Sequence, residues 1–150
     1  MPRAPRIQSP GLYHLTTRGN NGAPIYRDDH DRGLFVFVLH RTAAILDWRL
    51  HLWCLMTTHF HLLIETKTEN LAQGMHRLNS RYAHAVNERH GCTGHVFERR
   101  YASRVIESEI QLRNTALYIG HNPVAAELCA DARDWPWTGG PMLAEALGEG

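Results

Sequence analysis

Apolar and polar residues follow two distinct periods along this chain, and the changes of period mark its elements. "GLYHLTTRGN", residues 11–20, is rich in β-forming residues and ends in Gly-Asn, which predicts a first strand and a turn. "YRDDHDRGLFVFVLHRTAAIL" (26–46) opens with acids suited to a helix N-terminus and continues with apolar residues at helical spacing. "DWRLHLWCLMTTHFHLLIET" (47–66) gives two strand-like runs broken near "MTT", most simply a hairpin. The stretch 70–91 opens at an Asn cap and closes at Gly91. Its apolar stripe of Leu71, Met75, Leu78, Tyr82 and Val86 predicts a second helix. "HVFERRYASRVIES" (95–108) predicts another strand. Ser108 then caps a third helix with Glu109 in its first turn, and Pro123 is expected to stop it. The aromatic–proline segment "DWPWTGGPM" is expected to lie over the sheet, and the closing "LGEG" to fray.

The order strand, helix, strand, strand, helix, strand, helix is that of a split β-α-β unit. It predicts an α+β fold, an antiparallel sheet with helices covering one face and the other face left for a site. A length of 150 residues suits one domain with a real core. Three scattered cysteines without a CxxC pair argue for free thiols in a reducing compartment, and no apolar run approaches the roughly 20 residues needed to cross a bilayer. The polar, proline-broken start "MPRAPRIQSPG" does not read as a secretory signal, so a cytoplasmic protein is expected. The net charge of +1 hides a patch. Arg77, Arg81, Arg89, Arg99, Arg100 and Arg104 fall in one stretch opposed only by Glu88 and Glu98, and Lys67 is the only lysine. Arginine-rich codon usage would explain the bias. The clustering points to phosphate, because local charge rather than the total governs such binding.

In a strand, residues two apart project from the same side, so His59, His61, Leu63 and Glu65 face one way and Thr58, Phe60, Leu62 and Ile64 the other. The second set makes a core face. The first sets two imidazoles side by side, spaced to converge on one metal ion. With 11 histidines, chance pairs are expected, and an HxH pair alone names no reaction. "NTALYIGHNP" adds Tyr118 and Asn122, four apart and so on one helix face, bordering an apolar stripe of Leu112, Ala116 and Ile119. Alone, they would read as a packed aromatic and a helix-terminal cap. Together the four residues have a chemical purpose. A divalent metal held by two imidazoles and an amide oxygen keeps open positions that can bind a phosphodiester and withdraw charge from it. A tyrosine hydroxyl can then attack phosphorus and form a covalent intermediate. The free phenol has a pKa of about 10, so it needs help in losing its proton.

The chain resembles the single-tyrosine HUH transposases, in particular the group associated with repetitive extragenic palindromes, nearly end to end. "YHLTTRGNNGAPIYRDDHDRGLF", "HLWCLMTTHFHLLIE", "LNSRYAHAVNERHGCTGHVFERRY" and "LYIGHNPV" match its opening strand and turn, HUH strand, central helix with following strand, and tyrosine helix, in the right order. The resemblance implies a ferredoxin-like fold in a catalytic domain over 1–138, followed by a flexible tail over 139–150. It also implies a Mg²⁺- or Mn²⁺-dependent cut in single-stranded DNA carrying hairpins. Tyr118 would become joined to a 5′-phosphate, with His59, His61 and Asn122 as metal ligands, and many members work as homodimers. Arg18, Arg77, Arg81, Arg99 and Arg100 are candidates for backbone phosphate contacts. Three departures stand out: Met56-Thr57-Thr58-His59 where the family usually has "MPNH", Gly120-His121 where it often has a large residue, and "WPWTGG" for "WPWSS". Tyr82 is the rival nucleophile. Two other functions are weighed: a hairpin-binding module of the same fold without cleavage, and a zinc hydrolase, for which Glu65 is the nearby same-face carboxylate.

Overall fold

The computed structural model describes residues 8–149. The start read as lacking a secretory signal therefore lies largely outside the described residues, as does the terminal Gly150. β1 (Gly11–Arg18), α1 (Asp29–Leu46), β2 (Arg49–Leu55), β3 (His59–Thr66), α2 (Leu71–His90) and β4 (Ala102–Ile106) follow in chain order. α3 (Glu109–Ala125), β5 (Thr138–Gly139) and α4 (Leu143–Ala146) complete the chain. The sheet order is β4-β1-β3-β2-β5 and the paired neighbours run antiparallel. The first six elements form a ferredoxin-like βαββαβ unit, an α+β fold.

Strand alternation assigns the two sides of the sheet. Leu15, Phe60, Leu62 and Ile64 meet Phe35 and Leu39 of α1 and the whole predicted stripe of α2 in one core. On the opposite side Leu52, Cys54, Leu63 and Ile106 meet Ala116 and Ile119 of α3 and Ala146 of α4. Each Leu, Ile, Phe or Met among them taken fully out of water contributes about 1.5–3 kcal/mol, which is why the two faces hold different helices firmly. The start of α1 is tied to the end of α2 by a buried carboxylate. Asp31, fully buried, accepts from the Arg27 backbone N–H at 2.9 Å, from Arg89 at 2.7 Å and meets His90 at 2.8 Å. Burial opposes its ionisation, but the Arg27, Arg89 and His90 contacts outweigh that and hold its pKa low. No helix among the described residues is long and apolar enough to cross a membrane.

Several expectations need correction. The strand expected over 95–108 is only Ala102–Ile106, because Phe97 turns into the α1–α2 core, edge-on to Phe60, and leaves one isolated bridge to Gly19. Asn70 occupies the cap position of α2 without capping it. Its side chain instead accepts from Trp48 Nε1 and donates to the Leu46 carbonyl. Pro123 does not stop α3, which runs on to Ala125. A proline removes a bond to the turn behind it, and the carbonyls of Asn122 and Pro123 still accept from Ala126 and Leu128 ahead. The aromatic–proline segment does more than lie over the sheet, where Trp135 and Met142 pack on the Leu52, Cys54 and Leu63 side; it also extends the edge, with Leu55 N–H donating to the Trp137 carbonyl and Thr138–Gly139 pairing with β2. Residues 139–149, expected as a flexible tail, fold back on α3. Ala146 is fully buried, and a Cβ on Gly120 would collide with its carbonyl, so glycine is what lets the two backbones meet.

Candidate active site

The face of the sheet under α3 divides along the strands. At one end it is the apolar floor of Leu52, Leu63 and Ile106; at the other it is polar. The β1–β3 register sets Thr16 opposite His61 and Arg18 opposite His59, so both histidines and β1's His14, Thr16 and Arg18 share one side. Tyr13, Leu15 and Thr17 alternate to the buried side. The loop before His59 is held by the first turn: Gly19 N–H donates to the Thr58 carbonyl and Ile25 N–H to that of Thr57.

The imidazoles of His59 and His61 lie 5.0 Å apart between ring centroids, edge-on. His61 Nδ1 has two neighbours, His14 Nε2 at 3.0 Å and Thr16 Oγ1 at 3.2 Å, and His59 Nδ1 lies 3.2 Å from Thr58 Oγ1. His61 is only 4% exposed, and its Nε2 is buried without a hydrogen-bond partner. Burial, then the neighbouring His14 and His59 rings and Arg18, push the His61 pKa down to about 3. Burial and then Arg18 also lower His59, and burial with Arg104 takes His14 to about 4. The nearby Asn122 amide acts the other way on both members of the pair. All three rings are thus neutral near pH 7, the form in which an imidazole nitrogen can ligate a metal. Among the described residues no three His, Cys, Asp or Glu side chains converge as a metal site, and the Asn122 amide stands near the pair. An unpartnered buried nitrogen, neutral rings and an adjacent amide fit a divalent ion.

α3 carries Tyr118 across this end of the sheet. Its ring is edge-on to His61 at 5.8 Å and to His14 at 6.2 Å, yet the residue is 58% exposed. It borders a cleft of about 780 Å³ that His14, Thr16, Arg104 and Asn114 also line. A phenol beside two imidazoles and open to solvent can reach a strand lying in that cleft.

The structure therefore brings together Tyr118, His59, His61, Asn122 and Arg18. It does not gather the other arginines there. Arg77 and Arg81 belong to α2 on the opposite side of the sheet, and Arg99 lines a groove between α2 and residues 94–101. Arg100 precedes β4, and Arg89 of the same stretch is bound to Asp28 and Asp31. Tyr82 is fully buried and donates to the Ile25 carbonyl at 2.8 Å, far from the role of a nucleophile. Glu65 pairs with His51 at 3.0 Å, four residues beyond His61, which is about 13 Å along a strand. Sequence reasoning missed His14 at this site and counted Arg104 only as part of the basic stretch; the two are register partners on adjacent strands. The polar alternation His14-Thr16-Arg18 was the available signal for the first. Arg104 needed the pairing of β4 with β1.

Comparison with known proteins bears on the fold and the family. A solved REP-associated tyrosine transposase bound to a REP hairpin shares the fold, with a TM-score of 0.77 at 15% identity, over 92% of this chain and 82% of that one. A candidate transposase from Deinococcus radiodurans R1 matches with a TM-score of 0.55 at 15% identity, over 77% of this chain and 93% of that one. No curated protein matches the sequence. The fold is that of a tyrosine transposase. A model of the IS200-like transposases matches residues 8–122, and the chain belongs to that family.

Proposed function

We propose that this protein cuts and rejoins single-stranded DNA beside hairpins through a covalent 5′-phosphotyrosine at Tyr118. The observation that carries the reading is Tyr118, exposed and 5.8 Å from the ring of a histidine whose Nε2 is buried and unpartnered. Hairpin DNA is the partner in the solved relative, and the proposal extends that class of partner to this chain.

His59, His61 and Asn122 would hold Mg²⁺ or Mn²⁺, which when bound withdraws charge from the scissile phosphate. Tyr118 Oη attacks phosphorus, the bond to the 3′ oxygen breaks, and a free 3′-hydroxyl is left that can reverse the step or join another end. The open side of Tyr118 gives its proton a route to solvent. Arg18 lies where it can bind a phosphate next to the cut. Arg77, Arg81, Arg99 and Arg100, away from the tyrosine, would hold duplex or flanking phosphates and contribute affinity rather than rate. In this reading Tyr118 acts with the histidine pair of its own chain, beside which it lies.

The test incubates the protein with single-stranded hairpins from the flanks of its own gene, with Mg²⁺ or Mn²⁺, and resolves covalent protein–DNA adducts on a denaturing gel. An adduct absent from Tyr118→Phe and from a chelator control is expected. Binding without an adduct in either metal would replace the enzyme by a hairpin-binding module. An adduct that survives Tyr118→Phe would move the chemistry to another residue.

A further inference from the structure

We infer that His14 is a positioning residue that fixes which nitrogen of His61 carries its proton, leaving Nε2 free to act as a ligand. The inference rests on the proposed metal site. It begins with what a neutral imidazole can do: one nitrogen donates and the other accepts. His61 Nδ1 faces His14 Nε2 at 3.0 Å and Thr16 Oγ1 at 3.2 Å, whereas Nε2 is buried and has no partner. If Nε2 held the proton, a buried N–H would lack a hydrogen bond in this arrangement, since the neighbouring Asn122 amide does not form one. With the proton on Nδ1, the ring nitrogen of His14 accepts it, the Thr16 hydroxyl can share it, and the Nε2 lone pair is available.

The sheet supplies the rigidity this needs. Thr16 is the register partner of His61, and His14 stands two residues back on the same side. The His14 and His61 rings stack at 5.2 Å with their planes 30° apart, which limits rotation of His61 about its side-chain bonds. Tyr118 closes the far side, 6.2 Å from His14 and 5.8 Å from His61. His14 touches neither the phosphate nor the tyrosine oxygen in this role; it acts through His61. A partner on the second nitrogen of a ligating histidine commonly changes metal affinity by about 10–100-fold when removed.

The test has two readouts apart from cleavage. Long-range ¹H–¹⁵N NMR of the metal-free wild-type protein identifies the protonated nitrogen of His61, and titration with Mn²⁺ alone gives its dissociation constant. Wild type is expected to carry the His61 proton on Nδ1. His14→Ala should shift the proton toward Nε2 and weaken Mn²⁺ binding by about 10-fold or more. His14→Gln, whose amide oxygen reaches the same place, should restore binding to within about 3-fold while Ala does not, a difference that loss of packing alone would not produce. A wild-type His61 protonated on Nε2 overturns the inference without any variant being made. So does an unchanged dissociation constant in a folded His14→Ala protein. Failure of the metal reading is distinguishable: Mn²⁺ binding would then be absent from wild type or indifferent to His61→Ala, while the NMR result still decides the role of His14.

Discussion

Lowering the pH from 7 to 5 should destabilise the metal-free protein by an amount that the buried His61 ring and the half-buried His14 ring largely set. His61 and His14 stay neutral in the fold down to about 3 and about 4, mainly through burial. The unfolded chain protonates both near 6.5, so between those values it binds more protons than the folded chain does. Stability is therefore full above about pH 6.5 and is lost as the pH falls, at about 1.4 kcal/mol per pH unit for each ring. That is roughly 2 kcal/mol each at pH 5. The rings are in contact and will not add fully, so an overall loss of about 2–4 kcal/mol is expected. Asp28 and Asp31, whose pKa values are lowered, lose their contribution only at lower pH, below the ordinary carboxylate value of 3.8. Urea titrations with a chelator at the two pH values should show the midpoint falling by about 1–2 M for a typical slope. In His14→Gln/His61→Gln most of the fall should vanish. A wild-type midpoint that does not move, or a double variant that falls as far, would refute the assignment of neutral rings.

Three further outcomes follow from the packing. Tyr82→Phe should cost about 1–2 kcal/mol in thermal or urea unfolding by leaving the Ile25 carbonyl unpaired, and should leave adduct formation per folded molecule unchanged. Gly120→Ala should press a methyl into the Ala146 backbone, destabilise by about 1–3 kcal/mol and slow cleavage, with protease sensitivity rising first after residue 139. Mixing His61→Ala with Tyr118→Phe should give no adduct, because the tyrosine and the histidine pair of one chain work together; an adduct from the mixture would show exchange between copies.

Local periodicity was enough to find the histidine pair. A strand's alternation decides which side a residue takes before its neighbours are known, and Phe60, Leu62 and Ile64 declared the core side. The α2 stripe was legible for the same reason, all five of its residues being buried. What failed depends on partners distant in sequence. Phe97 is drawn out of a strand by a core built from α1, α2 and β3. Arg89, counted in the basic patch, is bound to Asp28 and Asp31, 61 and 58 residues away, where no i,i+4 rule could find them. The packing of the tail also depends on a distant partner, the alanine at 146 fitting against Gly120. His14 was visible in the alternation of β1, but its meeting with His61 required the register.

The same register answers whether "MTTH" weakens the site where related chains have "MPNH". Met56 N–H donates to the His59 carbonyl at 2.9 Å, so Thr57 and Thr58 form the two-residue loop of the β2–β3 hairpin. Neither threonine has a positive φ, so neither position asks for a special residue. What the surrounding turn takes from the pair is their carbonyls, used by Ile25 and Gly19, and proline and asparagine would offer the same two oxygens. The side chain at position 58 does differ in effect. Its hydroxyl lies 3.2 Å from His59 Nδ1, just as His14 and Thr16 stand beside Nδ1 of His61. Each histidine of the pair thus has a neighbour at the same ring nitrogen, drawn from a different segment of chain. The loop keeps its aim through backbone bonds that do not depend on the identity of residues 57 and 58, and the threonine adds a hold on the ring that the backbone alone would not provide.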